Sequence, residues 1–268
     1  WPVLKPLAQA RSWLGRHQEG LAGGLPFLRC GLIGKLKSKM TRFRYVGDYY
    51  YAYQKGWLNV FADSSEVYAD IHRRHGLPTV AMPWGATKRW YDDLGLERDL
   101  DVLWLGKRGS RRRSNILDQT ADKLRAHGVK LHIADGQENP FVFDDERTHF
   151  LNRAKITLII TRTWYDDNFS RFAMAMPNRS LVVSEEMMPH CTAYTPNEHY
   201  ISTASENLAD AVLYYLKHED ERQAIVERAY QHSTQEVTFE KTVQSIMNEA
   251  ERQLAARQGA TSYAFRNA

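Results

Sequence analysis

The sequence has only two cysteines among its 268 residues, Cys30 and Cys191, and they form no CxxC pair. A disulfide framework and a cysteine-ligated zinc site are therefore excluded, and a reducing, cytoplasmic compartment is expected. Long hydrophobic runs are also missing. The longest apolar stretch, residues 21–33, is interrupted by Pro26 and Arg29 and is too short to span a bilayer. With 9 prolines and 16 glycines, the chain is neither collagen-like nor of low complexity.

Several chemical signatures are missing as well. The ten histidines include no HExxH motif, so we expect no metal site. We also expect no cofactor, and a substrate is the one small molecule that we expect the protein to bind. The sequence contains no GxSxG nucleophile motif, no GxGxxG fingerprint and no GxxxxGK[ST] P-loop. The chain opens with Trp1-Pro2 and shows no signal-peptide pattern.

Positive charge is concentrated near the start of the chain. Residues 1–57 hold ten Lys or Arg side chains against Glu19 and Asp48, a net charge of +8, whereas the whole chain carries +4. Such a segment is typical of proteins that bind an anionic partner, such as nucleic acid, lipid head groups or an anionic acceptor. A solvated cationic surface explains the same charges without any partner. We expect no nucleic-acid partner, and peripheral contact with a membrane stays open.

From residue 58 onward, short β-branched runs alternate with longer amphipathic segments. The predicted strands cover residues 58–62, 78–82, 101–105, 129–133, 155–161 and 180–184. One helix is predicted from Ser64 to about residue 75, and another from the turn after residue 105 to Gly128. Further helices are predicted over residues 170–178, 208–216 and 239–256. This order predicts an α/β fold whose parallel sheet is covered by helices on both faces in the doubly wound, Rossmann-like style.

The segment Pro83-Trp84-Gly85-Ala86 predicts a domain boundary, because it follows a strand, carries proline and glycine, and precedes a new series of strands. We expect a partial first domain over residues 1–86 and a complete Rossmann-like domain over 87–238. The C-terminal helix over 239–268 is expected to pack back against the first domain. Since the first domain has only two predicted strands, part of it is expected to lie outside this sequence.

The turn after the third predicted strand is rich in cations and glycine, with Gly106, Lys107, Arg108 and Gly109 followed by three more arginines. Ligands of open α/β sheets bind at the carboxyl ends of strands, where free backbone N–H groups favour phosphate. Gly106 would allow a diphosphate to approach the backbone, and Lys107 and Arg108 would neutralise it. An exposed basic turn without a ligand is the alternative.

Two more clusters follow predicted strands. In the first, Arg162 and Arg171 flank three aromatics and two carboxylates, one of which is Asp166. A phosphate contact is expected for Arg171, and an ion pair with a neighbouring aspartate is the alternative. In the second, Ser184 and Glu185 stand where a side chain would accept hydrogen bonds from sugar hydroxyls, although an acidic helix start explains Glu185 equally well.

The order of these pieces resembles a known family. The strand and basic turn at 101–106 are followed by "HGVKLHIADG" and by "AKITLIITRTWYDDNFSRFAMAMPNRSLVVSEE", and then by "ENLADAVLYYLKHEDERQAIVERAY". This order is similar to the donor domain of GT-B glycosyltransferases, in the group-1, CgeB-like branch. "HGLPTVAMPWGAT" resembles the end of the acceptor domain and its hinge. The similarity covers roughly residues 58–235.

The resemblance implies a GT-B fold and a hexosyltransferase that moves a sugar from a nucleotide diphosphate sugar to an acceptor hydroxyl without a metal. It implies catalytic roles for Asp166 and Arg171. It places the diphosphate near Gly106, Lys107, Arg108 and Arg171, and the sugar and nucleoside near Arg162, Asp166, Ser184 and Glu185. The resemblance leaves open the donor's sugar and base and the stereochemical outcome. It also leaves open the acceptor, which would be a glycan, lipid or protein.

Two positions depart from the family pattern. Met174 stands where retaining members carry a second carboxylate, and Arg179 stands where a glycine is expected before the next strand. A degenerate member that binds nucleotide or glycan without turnover is therefore one alternative. A protein that binds an anionic surface through its basic first 57 residues is another.

Overall fold

The computed structural model describes residues 49–162, 169–187 and 193–266, with side chains up to residue 256. The chain forms two compact units. Of the described residues, one unit contains those up to Asp63, Val67–Ala81 and those from Ile246 onward, and the other contains Ser64–Glu66 and those between Met82 and Ser245. The chain thus changes unit at residues 81–82 and 245–246, near the predicted limits at 86 and 238. Those limits stay predictions.

The first described strands are short. Strand β1 (Phe61–Asp63) and strand β2 (Thr79–Ala81) pair in parallel, with Phe61 opposite Thr79, and helix α1 (Glu66–Arg74) connects them. The two predicted strands are therefore present, but each covers only three residues, and the first begins later than predicted. Gly76, at φ +80°, follows the helix end as predicted.

The large sheet has five parallel strands in the order β4-β3-β5-β6-β7. They are β3 (Leu100–Leu105), β4 (Leu131–Ala134), β5 (Ala154–Ile159), β6 (Leu181–Glu185) and β7 (Ile201–Thr203). The helices are α2 (Arg111–Ala126), α3 (Asp144–Arg153), α4 (Phe169–Ala175), α5 (Leu208–Lys217), α6 (Glu219–Gln231) and α7 (Phe239–Arg266). The predicted α/β fold with a parallel sheet is confirmed.

Both faces of this sheet are buried. Val102 and Trp104 of β3 pack on one face with Leu117 and Leu124 of α2, while Leu103 packs on the other face with Phe172 of α4. Because successive strand residues point to opposite faces, a strand buried on both sides has apolar residues throughout. The helices therefore cover the sheet on both sides, as the doubly wound prediction requires.

The strand order also positions a crevice. From β3 the chain crosses through α2 to β4 on one side, whereas β5 pairs with β3 on the other side. The carboxyl ends of β3 and β5 therefore flank the point where the strand order reverses. Ligands of open α/β sheets bind at such points.

The conformation of Arg179 accounts for the glycine that the family pattern has at this position. The residue adopts φ +54° after the short 3-10 turn Met176–Asn178, and its N–H donates to the Met176 carbonyl at 2.9 Å. Glycine adopts this left-handed conformation without strain, whereas arginine does not. The Arg179 guanidinium lies 3.6 Å from the centre of the Tyr230 ring and forms ion pairs with Asp93 and Glu227. These contacts offset the strain.

Helix α3 and strand β7 were not predicted, and the predicted helix over 170–178 ends early, at Ala175. Pro177 follows directly in the 3-10 turn and lacks the N–H that would continue the helix. No helix of the described chain is long and apolar enough to cross a bilayer.

Candidate functional site

Gly106 begins the turn after β3, and its backbone lies against a guanidinium. Its φ is +110°, and a Cβ at this position would lie 2.5 Å from Nη2 of Arg171. The Gly106 N–H donates to the Ala134 carbonyl of β4 at 3.0 Å, which holds the turn in place. A side chain at residue 106 would therefore displace Arg171 from the carboxyl end of β3.

Arg171 reaches this turn from α4. The centre of its guanidinium lies 5.6 Å from the centre of the buried Trp104 ring, a distance at which a cation and an aromatic face attract each other. The structure therefore brings together Gly106 and Arg171, which are 65 residues apart in the sequence. Their predicted contact with a diphosphate stays a prediction.

The two residues line a cavity of about 220 Å³. Its wall combines the ends of β3, β4 and β5 with residues of α3 and α4, and two of its lining side chains are arginines, Arg147 and Arg171. Among the described residues that line it, none is acidic. Met174, at the position where the family pattern has a carboxylate, also lines it. The described lining of the cavity therefore combines two guanidiniums with apolar side chains.

Arg147 is a site residue that the sequence analysis missed. It lies in the first turns of α3, and its Nε is buried without a hydrogen-bond partner. Within the described ranges its side chain forms no ion pair. The acidic first turn of α3, Asp144 to Glu146, is a helix-start signal that would have located the helix. An arginine placed this way is suited to bind an anion.

An aromatic wall completes the cavity. A Cβ at Gly136, where φ is +79°, would lie 2.5 Å from the ring of Phe141, so this ring packs directly on the glycine backbone. Phe141 and Phe143 line the cavity with ring centres 6.1 Å apart. Two guanidiniums beside aromatic rings provide contacts both for phosphate oxygens and for a flat heterocycle.

The Arg108 side chain binds three carboxylates of the protein. Its guanidinium donates to Asp135 at 2.7 Å and to Asp118 and Glu138 at 2.5 Å each. Burial alone would raise the pKa of the Asp135 carboxyl, but hydrogen bonds from Arg108 and from the Gln137 and Glu138 backbones outweigh it and lower that pKa. Three carboxylates therefore balance the Arg108 charge, which argues against its predicted diphosphate contact.

Glu185 is likewise bound to protein groups. Its buried carboxylate accepts hydrogen bonds from both Nη atoms of Arg112, from the Thr161 N–H and from the Thr161 hydroxyl at 2.6 Å. Arg112 also donates to the Thr161 carbonyl at 3.1 Å. These bonds tie the ends of β5 and β6 to the first turn of α2. The geometry thus favours a structural role over the predicted contact with sugar hydroxyls.

The remaining predicted residues are dispersed. Lys107 is exposed on the turn after β3, and Arg162 is exposed after β5 with its carbonyl accepting from Ser110 Oγ at 3.0 Å. Ser184 is fully buried, and its hydroxyl donates to the Glu185 carbonyl at 2.9 Å. Asp166, the predicted catalytic carboxylate, lies outside the described residues. Within the described ranges, no group of His, Cys, Asp and Glu side chains is arranged to hold a metal ion.

Comparison with known families and structures identifies the relatives of this chain. The family model for glycosyl transferase-like proteins matches residues 111–248, just over half of the chain. The chain therefore belongs to the glycosyl transferase-like family. No curated protein sequence matches it.

Several solved structures share the fold. Sucrose-phosphate synthase from Thermosynechococcus elongatus matches with a TM-score of 0.55 and 17% identity over 74% of this chain and 59% of its own. The pneumococcal O-GlcNAc transferase GtfA, solved with UDP and GlcNAc, matches with a TM-score of 0.55 and 11% identity over 77% of this chain and 47% of its own. HepE from Anabaena, solved with UDP-glucose, matches with a TM-score of 0.53 and 12% identity over 72% and 64%.

These likenesses confirm the predicted Rossmann-like, GT-B type of fold. The chain spans about half to two thirds of the length of these proteins. The assignment to the glycosyltransferases is confirmed at the level of the family, and the CgeB-like branch stays a prediction.

Proposed function

We propose that this chain, a member of the glycosyl transferase-like family, forms the donor-binding part of a glycosyltransferase. The reaction would transfer a hexose from a nucleotide diphosphate sugar to an acceptor hydroxyl. The observation that carries this proposal is the cavity at the carboxyl ends of β3 and β5, whose lining in the described part of the chain includes two arginines and no carboxylate. Within the family, we place the chain in the CgeB-like branch on the order of its sequence segments.

The diphosphate would be held by Arg171 and Arg147. Guanidinium–phosphate hydrogen bonds are short and charge-assisted, and Gly106 leaves the backbone accessible beside Arg171. Lys107 is exposed on the same turn and adds positive charge at the entrance. Arg108 and Glu185 are not among the proposed donor-binding residues, because both already form ion pairs with other side chains of the protein.

The aromatic wall would contact the base. A volume of about 220 Å³ is small for a whole nucleotide sugar, so the cavity would take part of the donor, with the remainder outside it. Phe141 offers a flat surface that is fixed by its packing on Gly136. Two of the similar structures were solved with UDP or UDP-glucose, which supports the binding of a nucleotide by a protein of this fold.

The chain's residues would act mainly on the leaving group. In the transfer, the bond between the sugar's anomeric carbon and the diphosphate oxygen breaks, and its electron pair leaves with the diphosphate. The acceptor oxygen forms the new bond to that carbon, and its proton passes to the departing diphosphate. Two guanidiniums fixed beside the diphosphate would stabilise the developing charge, so the proposal requires no metal. Asp166 is proposed as the carboxylate near the sugar.

Binding without turnover is a second candidate function. The observation that favours it is Met174, which lines the cavity where the family pattern has a carboxylate. Without that carboxylate, the hydroxyls of the donor sugar would lose an acceptor.

We further propose a cytoplasmic location with peripheral membrane contact through the basic residues 1–57. Its support is the net charge of +8 in that segment. Each basic residue near an anionic membrane contributes about 1 kcal/mol. Co-sedimentation with phosphatidylserine vesicles at low salt, lost in neutral vesicles, would support this contact.

Calorimetry and a turnover assay test the main proposal. The chain is titrated with UDP, GDP and ADP, and is then incubated with the corresponding nucleotide sugars, with and without EDTA, while released nucleotide is measured. Binding of a nucleotide diphosphate together with EDTA-resistant release supports a metal-independent transferase. Binding without release from any donor supports the non-turnover alternative. If none of the three nucleotides binds, the donor-site proposal is wrong.

A further inference from the structure

We propose that a second site, distinct from the cavity at β3 and β5, binds a neutral oligosaccharide. This site is a cleft of about 1020 Å³ that we call the aromatic cleft, and its walls carry Trp84, Trp90, Tyr91, Tyr230 and Phe239. The oligosaccharide would be the acceptor chain, held through sugar units away from the reacting hydroxyl. That identification as an acceptor rests on the proposed function, whereas the binding itself does not.

The backbone around the cleft is firmly held. A Cβ at Gly85 would lie 2.2 Å from the carbonyl carbon of Thr238, so the two segments are in direct contact. Ala86 donates to the Val237 carbonyl and accepts from the Phe239 N–H, both at 2.9 Å. The Asn178 side chain donates to the Trp90 carbonyl at 2.8 Å. The aromatic residues are therefore presented on a rigid support, which lowers the entropic cost of binding.

The rings are arranged as a platform. The centres of the Trp84 and Trp90 rings lie 6.3 Å apart with 38° between their planes, and both side chains are only partly buried. The face of a pyranose ring that presents C–H groups is apolar and flat on the scale of an indole. Two adjacent indoles can therefore contact consecutive sugar rings, and the cleft is large enough for several.

Polar side chains with no protein partner surround this platform. Asp144, Asp145, Lys88 and Arg89 line the cleft, and within the described ranges their side chains form no hydrogen bond or ion pair. Asp144 adopts φ +45°, a costly conformation for a residue with a side chain. Such conformations often occur at ligand sites. Carboxylates accept hydrogen bonds from hydroxyls, and the two cations donate to them.

The charge of the cleft selects among ligands. Four carboxylates and two cations line it, and one of the carboxylates, Asp93, is paired with Arg179 at 3.2 Å. A polyanion such as a nucleic acid would meet net repulsion. Mixed donors and acceptors around aromatic rings suit a ligand that is uncharged and rich in hydroxyls. This combination favours a neutral oligosaccharide.

Helix α3 lines both sites with different residues. Asp144, Asp145 and Thr148 face the aromatic cleft, whereas Arg147 and Leu151 face the cavity at the carboxyl ends of β3 and β5, which we call the nucleotide cavity after its proposed ligand. Binding energy from units of a substrate that do not react can be used to orient the reacting unit. An acceptor chain anchored on one side of α3 would be oriented in this way.

The test uses the full chain and three neutral trisaccharides, maltotriose, cellotriose and chitotriose, with binding followed by tryptophan fluorescence and calorimetry. We expect at least one to bind, and Trp90→Ala to weaken its binding about tenfold. Asp145→Asn removes one charge on an exposed side chain and should weaken binding several-fold without affecting folding. Trp57→Ala is the matched control, because Trp57 is 73% exposed and lies outside the cleft.

The outcomes separate this proposal from the proposed function. Trisaccharide binding that Trp90→Ala and Asp145→Asn weaken, with unchanged affinity for UDP, GDP or ADP, supports the aromatic cleft. If no trisaccharide binds, or if both variants bind it as tightly as Trp57→Ala does, the proposal is wrong even where nucleotide still binds. If a trisaccharide binds but no nucleotide does, the donor-site proposal fails and the aromatic cleft stands as a glycan-binding site.

Discussion

Replacing Arg171 with alanine tests the chemistry of the nucleotide cavity most directly. The substitution removes one of the two guanidiniums that line the cavity. A hydrogen bond to a charged group contributes about 1.5–3 kcal/mol. Since 1.4 kcal/mol is a factor of ten, the affinity for a nucleotide diphosphate should fall roughly tenfold to a hundredfold. Loss of the contact with the buried Trp104 should lower the free energy of unfolding by about 1–2 kcal/mol.

Calorimetry with the nucleotide diphosphate that binds best provides the measurement. The corresponding nucleoside lacks phosphates, so its affinity should be equal in the original protein and in Arg171→Ala. Arg171→Lys keeps the charge but loses the two-pronged donor, and should recover part of the lost affinity. Arg125→Ala is the matched control, because Arg125 is an exposed arginine of α2 that pairs with Asp122 at 2.6 Å.

Arg147→Ala should produce a loss of similar size. The double variant should lose less than the two single losses combined, because both guanidiniums would bind one diphosphate. Unchanged nucleotide affinity in a well-folded Arg171→Ala protein would refute the assignment. A lower melting temperature with unchanged affinity would make Arg171 a structural residue.

Two further predictions concern stability. Arg112→Ala leaves the buried Glu185 carboxylate with its hydrogen bonds to Thr161. The free energy of unfolding, measured in urea, should therefore fall by about 2 kcal/mol. A change below about 0.5 kcal/mol would contradict the structural role of Arg112. Burial, followed by the charges of Lys130 and Arg153, lowers the pKa of His132 below 6.5. The unfolded chain therefore binds the proton more tightly, and stability should decrease as pH falls below about 6.5. His132→Phe should reduce this dependence between pH 7.5 and 5.5, and equal slopes in the variant and the original protein would refute the argument.

Much of the fold is encoded in local sequence patterns. Leu117, Ala121 and Leu124 fall on one face of the predicted helix, and all three are buried in α2. Strand β5 is an almost continuous apolar run, as expected for a strand covered on both faces. Such patterns are local, because the periods of helices and strands involve residues only a few positions apart. The position of Gly106 at the end of β3 follows from the same pattern.

The missed elements have weak local signals. Helix α3 has the sequence DDERTHFLNR, and its buried residues are Thr148, Leu151 and Asn152, two of which are polar. It therefore lacks the apolar stripe by which a helix is recognised. Strand β7 has only three residues, and it is defined by its pairing with β6.

By itself, the sequence determined the α/β class, the order of the strands from β1 to β6, and the presence of several arginines near the ends of strands. Only the tertiary structure decided which of these arginines bind carboxylates of the protein and which line the cavity. Arg108 meets Asp135 and Arg112 meets Glu185, whereas Arg171 meets the Gly106 backbone and Arg147 lines the cavity without an ion pair in the described chain. Asp135 is 27 residues from Arg108, and Glu185 is 73 residues from Arg112. Which carboxylate reaches which cation depends on the strand order β4-β3-β5-β6, and no local pattern contains that order.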